Sequence, residues 1–342
     1  MKKGVKTSSK QKVIIAVATI LAILILVAGG IAIYSYIDKT PELYTPIEKV
    51  DFLGDWQKTI KDDTKLNQIV MPGSHDAGCN NMMPLARTQG HDIYDQLIGG
   101  ARYFDLRVTK KGDDLVIFHS IIKGMKFQKV LDDFNRFFEE NPTEFVVMDF
   151  QKLGKGVNGE VIEFIAKNLD MSRAMVKSEY PKIEETTIGE LRENNINFII
   201  IWNNNEDAQN YDFLYSRGEN LHSFYDRKFH MNGDGNVLVE HFDEYYNRYD
   251  GTGFFVLQSQ RTATVLTDKP SEMELKWGDT FTKFAENLNN DTEKLQKTNI
   301  IMRDFIVSDT KKVKTILSLN LTKGLVKDEF LEEFKENISQ KY

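Results

Sequence analysis

The chain begins with one long apolar segment and continues with short apolar runs that polar stretches separate. The first segment, residues 13–37, contains no charged side chain. A helix rises about 1.5 Å per residue, so about 20 apolar residues suffice to cross a bilayer. The segment therefore predicts a transmembrane helix. A signal peptide is the alternative, although its apolar part is usually shorter, at about 7–15 residues.

The charges on either side of this segment predict its orientation. Five lysines lie in residues 1–12, and the first acidic residue of the chain is Asp38. Lysine-rich flanks stay on the cytoplasmic side of a membrane. We therefore expect residues 1–12 to be cytoplasmic, residues 13–37 to be a single-pass signal-anchor in the cell membrane, and the remainder to be extracellular. If the apolar segment were cleaved, the protein would be secreted.

Residues 38–50 contain two prolines and predict a linker, so we expect the folded body to comprise residues 51–342. Short apolar runs rich in Val, Ile and Phe recur in this body. The runs are at 68–71, 101–108, 115–119, 144–150, 197–202, 236–242, 254–258 and 299–305. Each is short enough for a strand and too short for a typical helix.

The character of these runs predicts a parallel sheet. Several are continuous rather than alternating, which is typical of strands buried on both faces. Helix-like segments, such as 129–142 and 159–170, lie between them. Eight strands that alternate with helices predict an α/β fold, a (β/α)8 TIM-type barrel. The gap between the second and third runs is too short for a helix, so we expect an irregular barrel; a doubly wound open sheet is the alternative.

The charge and the cysteine content narrow the possible functions. The whole chain carries a net charge of −7, and the five early lysines leave about −12 for residues 38–342. A body this acidic is a poor partner for nucleic acid, which requires Lys/Arg patches. Cys79 is the one cysteine in the sequence, which excludes an intramolecular disulfide and a cysteine-rich metal cluster.

Titratable side chains stand at the ends of several predicted strands. They are His75, Asp76, Asp105, Arg107, His119, Asp149, His241 and Asp304. In a barrel of this kind, functional side chains lie at the carboxyl ends of the strands. A single aspartate there is common in turns, but convergence of several titratable groups is typical of an active site.

Two histidines and an arginine form a chemically interpretable set. An ordinary histidine pKa of about 6.5 suits one imidazole as general base and another as general acid. An arginine presents a fixed fork of donors to a phosphate. Carboxylates beside the imidazoles would orient the rings and stabilise their cations. The set fits cleavage of a phosphodiester by an internal hydroxyl group, with no metal required.

Three sequence blocks resemble the X-domain signature of bacterial phosphatidylinositol-specific phospholipase C. They are "MPGSHDAG" at 71–78, "GARYFDLRV" at 100–108 and "LVIFHS" at 115–120, and their order and spacing match the family. The resemblance implies that His75 takes the proton from the inositol 2-hydroxyl. It also implies that His119 protonates the departing diacylglycerol oxygen, and that Arg107 holds the phosphate.

The same resemblance assigns three carboxylates. It implies that Asp76 pairs with His119, that Asp304 orients His75, and that Asp105 belongs to the block of Arg107. The implied products are diacylglycerol and inositol 1,2-cyclic phosphate. Calcium-dependent relatives place carboxylates around the phosphate, whereas Arg107 would supply that positive charge here. We therefore expect no metal and no cofactor. The expected partner is a membrane phospholipid, either phosphatidylinositol or a glycosylated inositol lipid.

The part of the sequence that would bind the inositol ring departs from the family pattern. The family has a basic residue after the fifth strand and an aromatic residue after the sixth. The candidates here are Lys152, Trp202, Asn203, His241 and Tyr245, with Gln151 and Tyr246 as neighbouring alternatives. The substrate is therefore less well indicated than the chemistry.

Other functions are compatible with parts of the sequence. One is a membrane-tethered module that binds phospholipid or glycolipid with little turnover. Another is a phosphodiesterase for a different headgroup. A glycerophosphodiester phosphodiesterase would need a carboxylate metal site, which the "DLR" block disfavours. A ribonuclease could use two histidines in the same way, but the acidic body disfavours it.

Overall fold

The strands form one sheet in the computed structural model, which describes residues 8–37, 39–47, 49–263 and 268–339. The strands are β1 (Met71–Ser74), β2 (Tyr103–Lys111), β3 (Asp114–His119), β4 (Ile122–Lys126), β5 (Val146–Leu153), β6 (Phe198–Trp202), β7 (Leu214–Ser216), β8 (Leu221–Ser223), β9 (Phe254–Gln258) and β10 (Ile300–Arg303). Several of these strands have only three to five residues. They can still contribute to a stable sheet because the core buries both faces of most of them.

Eight of these strands are parallel and follow one another around a nearly closed barrel. Their order is β7, β6, β5, β2, β1, β10, β9 and β8. Among the described residues, no ladder pairs β7 with β8, so the barrel is open at this seam. The predicted irregular TIM-type barrel is confirmed. The irregularity lies in β3 and β4, which form an antiparallel extension of β2 outside the barrel.

Helices surround this barrel. They are α1 (Ser9–Tyr36), α2 (Asp51–Gly54), α3 (Ile93–Ile98), α4 (Phe127–Glu140), α5 (Asn158–Asn168), α6 (Ile188–Glu193), α7 (Asn205–Asn210), α8 (Arg217–Asn220), α9 (Arg227–His230), α10 (Gly235–Arg248), α11 (Pro270–Asn287), α12 (Thr292–Lys297), α13 (Thr310–Thr322) and α14 (Leu331–Ser339). Short 3-10 turns lie at Pro41–Tyr44, Trp56–Thr59, Leu66–Gln68, Met171–Arg173, Leu288–Asn290 and Asp328–Phe330.

Helix α4 illustrates how the helices cover the sheet. Its buried phenylalanines recur at helical spacing and so form one apolar face. Phe134 packs edge-on against Phe104 of β2, with ring centroids 5.2 Å apart. Phe138 stacks on Phe198 of β6 at 5.5 Å. These contacts cover the outer face of β2 and β6, which flank β5 in the barrel.

One predicted strand is wrong, because residues 236–242 lie within helix α10. Leu238, Phe242, Tyr245 and Tyr246 are buried, and their spacing of four, three and one residues marks one helical face. Asp234 caps the helix by accepting a hydrogen bond from the amide of Asn236. His241 therefore does not end a strand. The three-residue strands β7 and β8, which the sequence pattern did not reveal, complete the barrel instead.

The N-terminal helix α1 stands apart from the barrel over most of its length. Its segment Ser9–Ile31 is long and apolar enough to cross a membrane, and none of its most apolar part is buried against the body. A transmembrane anchor and a signal sequence both have these properties. Residues 1–7 of the predicted cytoplasmic segment lie outside the described residues. The described part of the predicted linker lies against the barrel, with Leu43 buried.

A buried ion pair holds the amino-terminal end of the barrel together. Arg102 precedes β2 and Glu144 precedes β5, and both side chains are fully buried. Two guanidinium nitrogens of Arg102 donate to the same oxygen of Glu144, at 2.9 and 2.8 Å. The remaining donors reach the carbonyl oxygens of Gly54 and Leu97, both at 2.7 Å. The pair thus ties the chain before β1 to the beginnings of two neighbouring strands.

We expect the substitution Arg102→Met to lower the free energy of unfolding by roughly 3–5 kcal/mol, because it leaves the buried carboxylate of Glu144 without its counter-charge. The measurement is urea unfolding of the full chain in detergent micelles, followed by fluorescence of its three tryptophans. Lys110→Met is the matched control, since Lys110 and Glu160 form an exposed pair, and we expect no measurable change from it. Equal effects of the two substitutions would contradict this account.

Candidate active site

The turn after β1 carries a histidine and an aspartate at the carboxyl end of the barrel. The amide of His75 donates to the carbonyl of Arg303 at the end of β10, and the amide of Ala77 donates to the carbonyl of Asp105 in β2. The turn is thereby fixed to the strands on both sides of β1. A Cβ on Gly78 would lie 2.8 Å from the side chain of Ile117, so this close packing requires glycine. The backbone therefore holds the pair "HD" rigidly at the mouth of the barrel.

Strand β2 adds an arginine that connects the carboxylates of the site. Arg107 lies 2.5 Å from Asp76 through Nε and 2.9 Å from Asp105 through Nη2. It also donates to Oε1 of Gln151 on β5 at 2.7 Å. Burial opposes the guanidinium charge, but Asp105 and Asp76 outweigh burial and raise the pKa of Arg107. For the same reason, Arg107 holds the pKa of Asp105 below its ordinary value despite burial.

The antiparallel strand β3 brings a second histidine to the same place. Strand β2 runs beyond the mouth of the barrel, and β3 returns beside it with Ile117 opposite Val108. His119 is the last residue of β3, and its Nε2 lies 3.5 Å from Oδ2 of Asp76. Nε2 of His75 lies 3.6 Å from the same oxygen. Asp76 therefore stands between the two imidazole rings.

The last barrel strand supplies the partner of the first histidine. Nδ1 of His75 lies 2.7 Å from Oδ1 of Asp304, the distance of a hydrogen bond that the imidazole N–H donates. Gln89 fixes both segments, because its amide donates to the carbonyls of His75 and Arg303. Burial alone would lower the pKa of His75, but the negative charges of Asp76 and Asp304 raise it to about 9. In the ligand-free site, the ring is thus a cation at neutral pH.

The arrangement also bears on metal binding. In the described part of the chain, the donor atoms of His75, Asp76 and Asp105 lie within 4.8 Å of one another, a spacing that one metal ion can share. The guanidinium of Arg107, however, already contacts both carboxylates. A metal ion could use these ligands only if the arginine left. The two carboxylates thus have a positively charged partner within the chain.

A cavity of about 330 Å³ opens above the cluster. Its walls include His75, Asp76, Arg107, His119, Gln151, Arg217, Ser223, Tyr225, Gln258 and Thr262. Arg217 begins α8, and its Nε donates to both oxygens of Asp149 at 3.1 Å. Tyr225 is 45% exposed, and its ring stacks on that of His230 with centroids 4.5 Å apart. The cavity therefore combines charged donors, amides and hydroxyls with one exposed aromatic ring.

The structure brings together all six residues for which the family resemblance implied catalytic roles. They are His75, Asp76, Asp105, Arg107, His119 and Asp304. They lie in or directly after β1, β2, β3 and β10. The three barrel strands among these are neighbours in the order β10, β1 and β2. Sequence positions up to 229 residues apart thus meet within hydrogen-bonding distance.

Of the candidate headgroup residues on and after β5 and β6, the alternative Gln151 lines this cavity, whereas Lys152, Trp202 and Asn203 do not. Side chains alternate along a strand, so Gln151 faces the cavity while Lys152 is exposed, with its ammonium 5.8 Å from the ring of Phe118. Trp202 is buried and packs against Phe150, with centroids 5.1 Å apart. Asn203 is exposed in the bend that follows β6.

The two candidates on α10 have other contacts. His241 stacks on Phe229, with ring centroids 3.6 Å apart. The hydroxyl of Tyr245 accepts a hydrogen bond from the amide of Asp226. Arg217 and Tyr225 line the cavity, although neither was predicted from the sequence as a site residue. A visible signal was that each closely follows a short apolar segment, "FLYS" at 213–216 and "LHSF" at 221–224.

Comparison with curated proteins finds relatives among phosphatidylinositol phosphodiesterases, whereas no family model matches the chain. The chain is 32% identical over 111 residues to 1-phosphatidylinositol phosphodiesterase of Listeria monocytogenes, covering 30% of this chain and 34% of the relative. It is 30% identical over 105 residues to the Staphylococcus aureus protein of the same name, covering 29% and 34%. The alignments thus span about a third of the curated relatives.

Solved structures extend the similarity over most of the barrel. Phosphatidylinositol-specific phospholipase C from Listeria monocytogenes superposes with a TM-score of 0.61 at 21% identity, over 78% of this chain and 98% of that one. The chain has the fold of the bacterial phosphatidylinositol-specific phospholipases C. The enzyme from Staphylococcus aureus gives a TM-score of 0.57 at 16% identity, over 78% and 97%. The resemblance to this family seen in the sequence is thereby confirmed.

The raised pKa of His75 predicts a pH dependence of stability. Its folded value of about 9 exceeds the ordinary 6.5, so the folded state binds this proton more tightly than the unfolded state. The contribution is fully present below pH 6.5 and is lost as the pH rises through 9. Between pH 6 and pH 10, wild type should lose about 3 kcal/mol more than His75→Asn. Urea unfolding across this range measures it, and parallel curves for the two proteins would contradict it.

Proposed function

We propose that this chain is a metal-independent phospholipase C that cleaves phosphatidylinositol or a related inositol lipid. The observation that carries the proposal is the position of the two imidazoles on either side of Asp76, with Arg107 against the same carboxylate. Since Nε2 of His75 and of His119 lie within 3.6 Å of one oxygen, the two nitrogens are at most about 7 Å apart. A single phosphate group can contact both at hydrogen-bond distance.

The proposed reaction is an internal transfer. His75, in its neutral form, takes the proton of the inositol 2-hydroxyl, and that oxygen forms a bond to phosphorus. The bond from phosphorus to the diacylglycerol oxygen breaks, and His119 gives its proton to the departing oxygen. Arg107 stabilises the charge that builds on the phosphate oxygens. The products are diacylglycerol and inositol 1,2-cyclic phosphate.

The carboxylates set the conditions under which this chemistry would work. Asp304 orients His75 by accepting from Nδ1, which directs Nε2 toward the cavity. Because its pKa is about 9, roughly one His75 ring in a hundred is neutral at pH 7 in the ligand-free site. The same negative charges that favour the imidazolium make His75 a strong base once it is neutral. In the proposed site, few His75 rings are thus neutral at pH 7, but each neutral ring is a strong base.

The cavity walls support an inositol headgroup. Gln151, Arg217, Ser223 and Gln258 offer amide, guanidinium and hydroxyl groups, which are the partners that a ring of hydroxyls requires. The exposed face of Tyr225 offers an apolar surface against which a sugar-like ring can stack. The similar proteins from Listeria monocytogenes and Staphylococcus aureus are named for phosphatidylinositol, which favours this headgroup over others.

We also propose that α1 is an uncleaved anchor in the cell membrane, with the barrel outside the cell. The five lysines of residues 1–12 precede the apolar segment, and the segment is longer than a usual signal-peptide core. Membrane lipid would then be both the support and the substrate of the protein. Secretion after cleavage is the alternative, and the mass of the mature chain distinguishes the two.

The catalytic proposal predicts the behaviour of three histidine substitutions. With phosphatidylinositol in mixed micelles and EDTA present, we expect phosphorus NMR to show a cyclic phosphodiester product. His75→Ala and His119→Ala should each lower kcat at least about 100-fold, because each removes a proton-transfer group. His222→Ala is the control, since that ring lies beside Thr252 and does not line the cavity. Turnover with Ca²⁺ but not with EDTA would contradict the role of Arg107.

A second prediction concerns the headgroup. Arg217→Lys keeps a positive charge for the buried Asp149 but loses the planar fork of donors. We expect KM for phosphatidylinositol to rise roughly 10-fold, the effect of one lost hydrogen bond to a charged group. Lys152→Ala is the control and should leave KM unchanged, because Lys152 lies outside the cavity walls. A higher KM for Lys152→Ala and an unchanged KM for Arg217→Lys would show that the headgroup binds near Lys152, outside the cavity.

A further inference from the structure

The end of helix α1 is joined to the barrel through a buried lysine. Lys269 immediately precedes α11, and its side chain is almost completely buried. Its ammonium lies 2.5 Å from the carbonyl oxygen of Ile37 and 3.8 Å from the ring centroid of Tyr34. The hydroxyl of Tyr34 donates to Glu272 in the first turn of α11, at 2.7 Å. We call these contacts the joint.

The segment that follows α1 is packed against the barrel rather than free. We call residues 39–47, as far as the structure describes them, the strap. The carbonyl of Leu43 passes so close to Gly90 that a Cβ there would lie 2.0 Å from it. The ring of Tyr44 packs edge-on against Phe305, with centroids 5.9 Å apart. The carbonyl of Thr45 accepts a hydrogen bond from Nε2 of His91 at 2.7 Å.

The strap and the joint both contact segments that build the proposed active site. Phe305, which packs on the strap, directly follows Asp304. Gly90 and His91, which also contact the strap, directly follow Gln89, whose side chain holds the carbonyl of His75. The strap therefore lies on the same end of the barrel as the catalytic cluster.

Helix α11 links the joint to this end as well. Glu274 lies two residues beyond Glu272 and accepts a hydrogen bond from the guanidinium of Arg303 at 2.8 Å. Arg303 ends β10 and precedes Asp304. Thr262, which belongs to the described stretch that ends at residue 263, lines the cavity. The anchor thus enters the barrel beside the cavity and not at the opposite end.

We infer that the joint and the strap hold the cavity toward the bilayer that α1 enters, so that the barrel takes lipid from the leaflet of its own anchor. This inference rests on the proposed function for the identity of the lipid, but not for the orientation. A facing membrane would lie beyond the amino-terminal end of the barrel, where Arg102 and Glu144 are buried. The cavity could reach that membrane only after the joint had opened.

Two further observations agree with this orientation. Cleavage after Ile37 would remove both the carbonyl of Ile37 and the ring of Tyr34, which stabilise the buried ammonium of Lys269, and this favours a retained anchor. Ile121 follows His119 by two residues at the β3–β4 turn and is 91% exposed. A large apolar side chain at this position is compatible with contact with lipid beside the cavity.

The first test measures orientation without relying on activity. The full chain is reconstituted in phosphatidylcholine vesicles that contain nitroxide-labelled lipid. Cys79 is buried, so a fluorophore can be attached selectively to Ile121→Cys. We expect the nitroxides to quench this probe several-fold more than a probe on Glu193→Cys, which is exposed at the end of α6 before β6 begins. Equal quenching, or stronger quenching at residue 193, would overturn the inference.

A second test opens the joint. A flexible Gly/Ser segment of about 20 residues, inserted after Ile37 in a chain that also carries Lys269→Ala, adds roughly 25 Å of reach once the joint is broken and leaves the strap in place. Lys269→Ala removes the buried ammonium alone. Lys276→Ala, an exposed lysine on the same helix, is the matched control. Quenching at residue 121 should fall in the first two variants and stay unchanged in the control. Unchanged quenching in all three would overturn the role of the joint.

The third test measures the source of the lipid. Vesicles carrying the protein and one isotope-labelled phosphatidylinositol are mixed with protein-free vesicles that carry a second label. We expect wild type to cleave the lipid of its own vesicles at least several-fold faster, and the insertion to reduce that ratio by increasing cleavage in the other vesicles. Equal cleavage of both labels by wild type would overturn the inference.

The outcomes separate this inference from the proposed function. Quenching at residue 121 without turnover of either label would overturn the phospholipase proposal and leave the orientation supported. Turnover in mixed micelles without preferential quenching at residue 121 would support the enzyme and overturn the orientation. A mature chain that lacks α1 by mass would overturn the orientation regardless of activity.

Discussion

Three buried carboxylates at the mouth of the barrel constrain everything else in the candidate site. Asp76, Asp105 and Asp304 are each at most 3% exposed, and charges removed from water to this extent require nearby counter-charges. Arg107 and His75 provide them. This necessity explains why His75 holds its proton so strongly and why the arginine is fixed by two carboxylates at once.

The topology of the barrel makes this concentration of charge possible. Parallel strands place their carboxyl ends on one rim, and β10, β1 and β2 are adjacent there. The antiparallel extension of β2 then returns His119 to the same rim, which a regular alternation of strand and helix would not do. At the opposite rim, the ion pair of Arg102 and Glu144 holds the beginnings of β2 and β5 together. Neither of these two residues lines the cavity. One end of the barrel thus carries a stabilising ion pair, and the other end carries the candidate active site.

The sequence was sufficient to predict the cluster of titratable side chains around Asp76 but not the rest of the cavity wall, and the reason is physical. Turn geometry and charge pairing restrict which residues can occupy neighbouring positions in the chain. The "HD" turn and the block of Arg107 can therefore be recognised as sequence motifs. The wall instead depends on β7 and β8, which are three residues long and too short for any periodicity to show. Helix α10 was mistaken for a strand because "VLVEHF" is rich in β-branched and aromatic residues. Its burial spacing, from Leu238 through Phe242 to Tyr245, was a helical signal that local composition concealed.

The acidic body poses a problem that the strap and the joint would resolve. With about −12 charges, the body would be repelled by an anionic bilayer, and free diffusion to the surface would be unfavourable. A tether removes that difficulty because it raises the effective concentration of the barrel at the surface without attraction. A loose tether, however, would leave the same repulsion free to turn the mouth away from lipid. Packing Leu43 and Tyr44 onto loops beside His75 and Asp304 would remove this freedom, since the body could then rotate only together with its anchor. Orientation and attachment would thereby become one structural property of the chain.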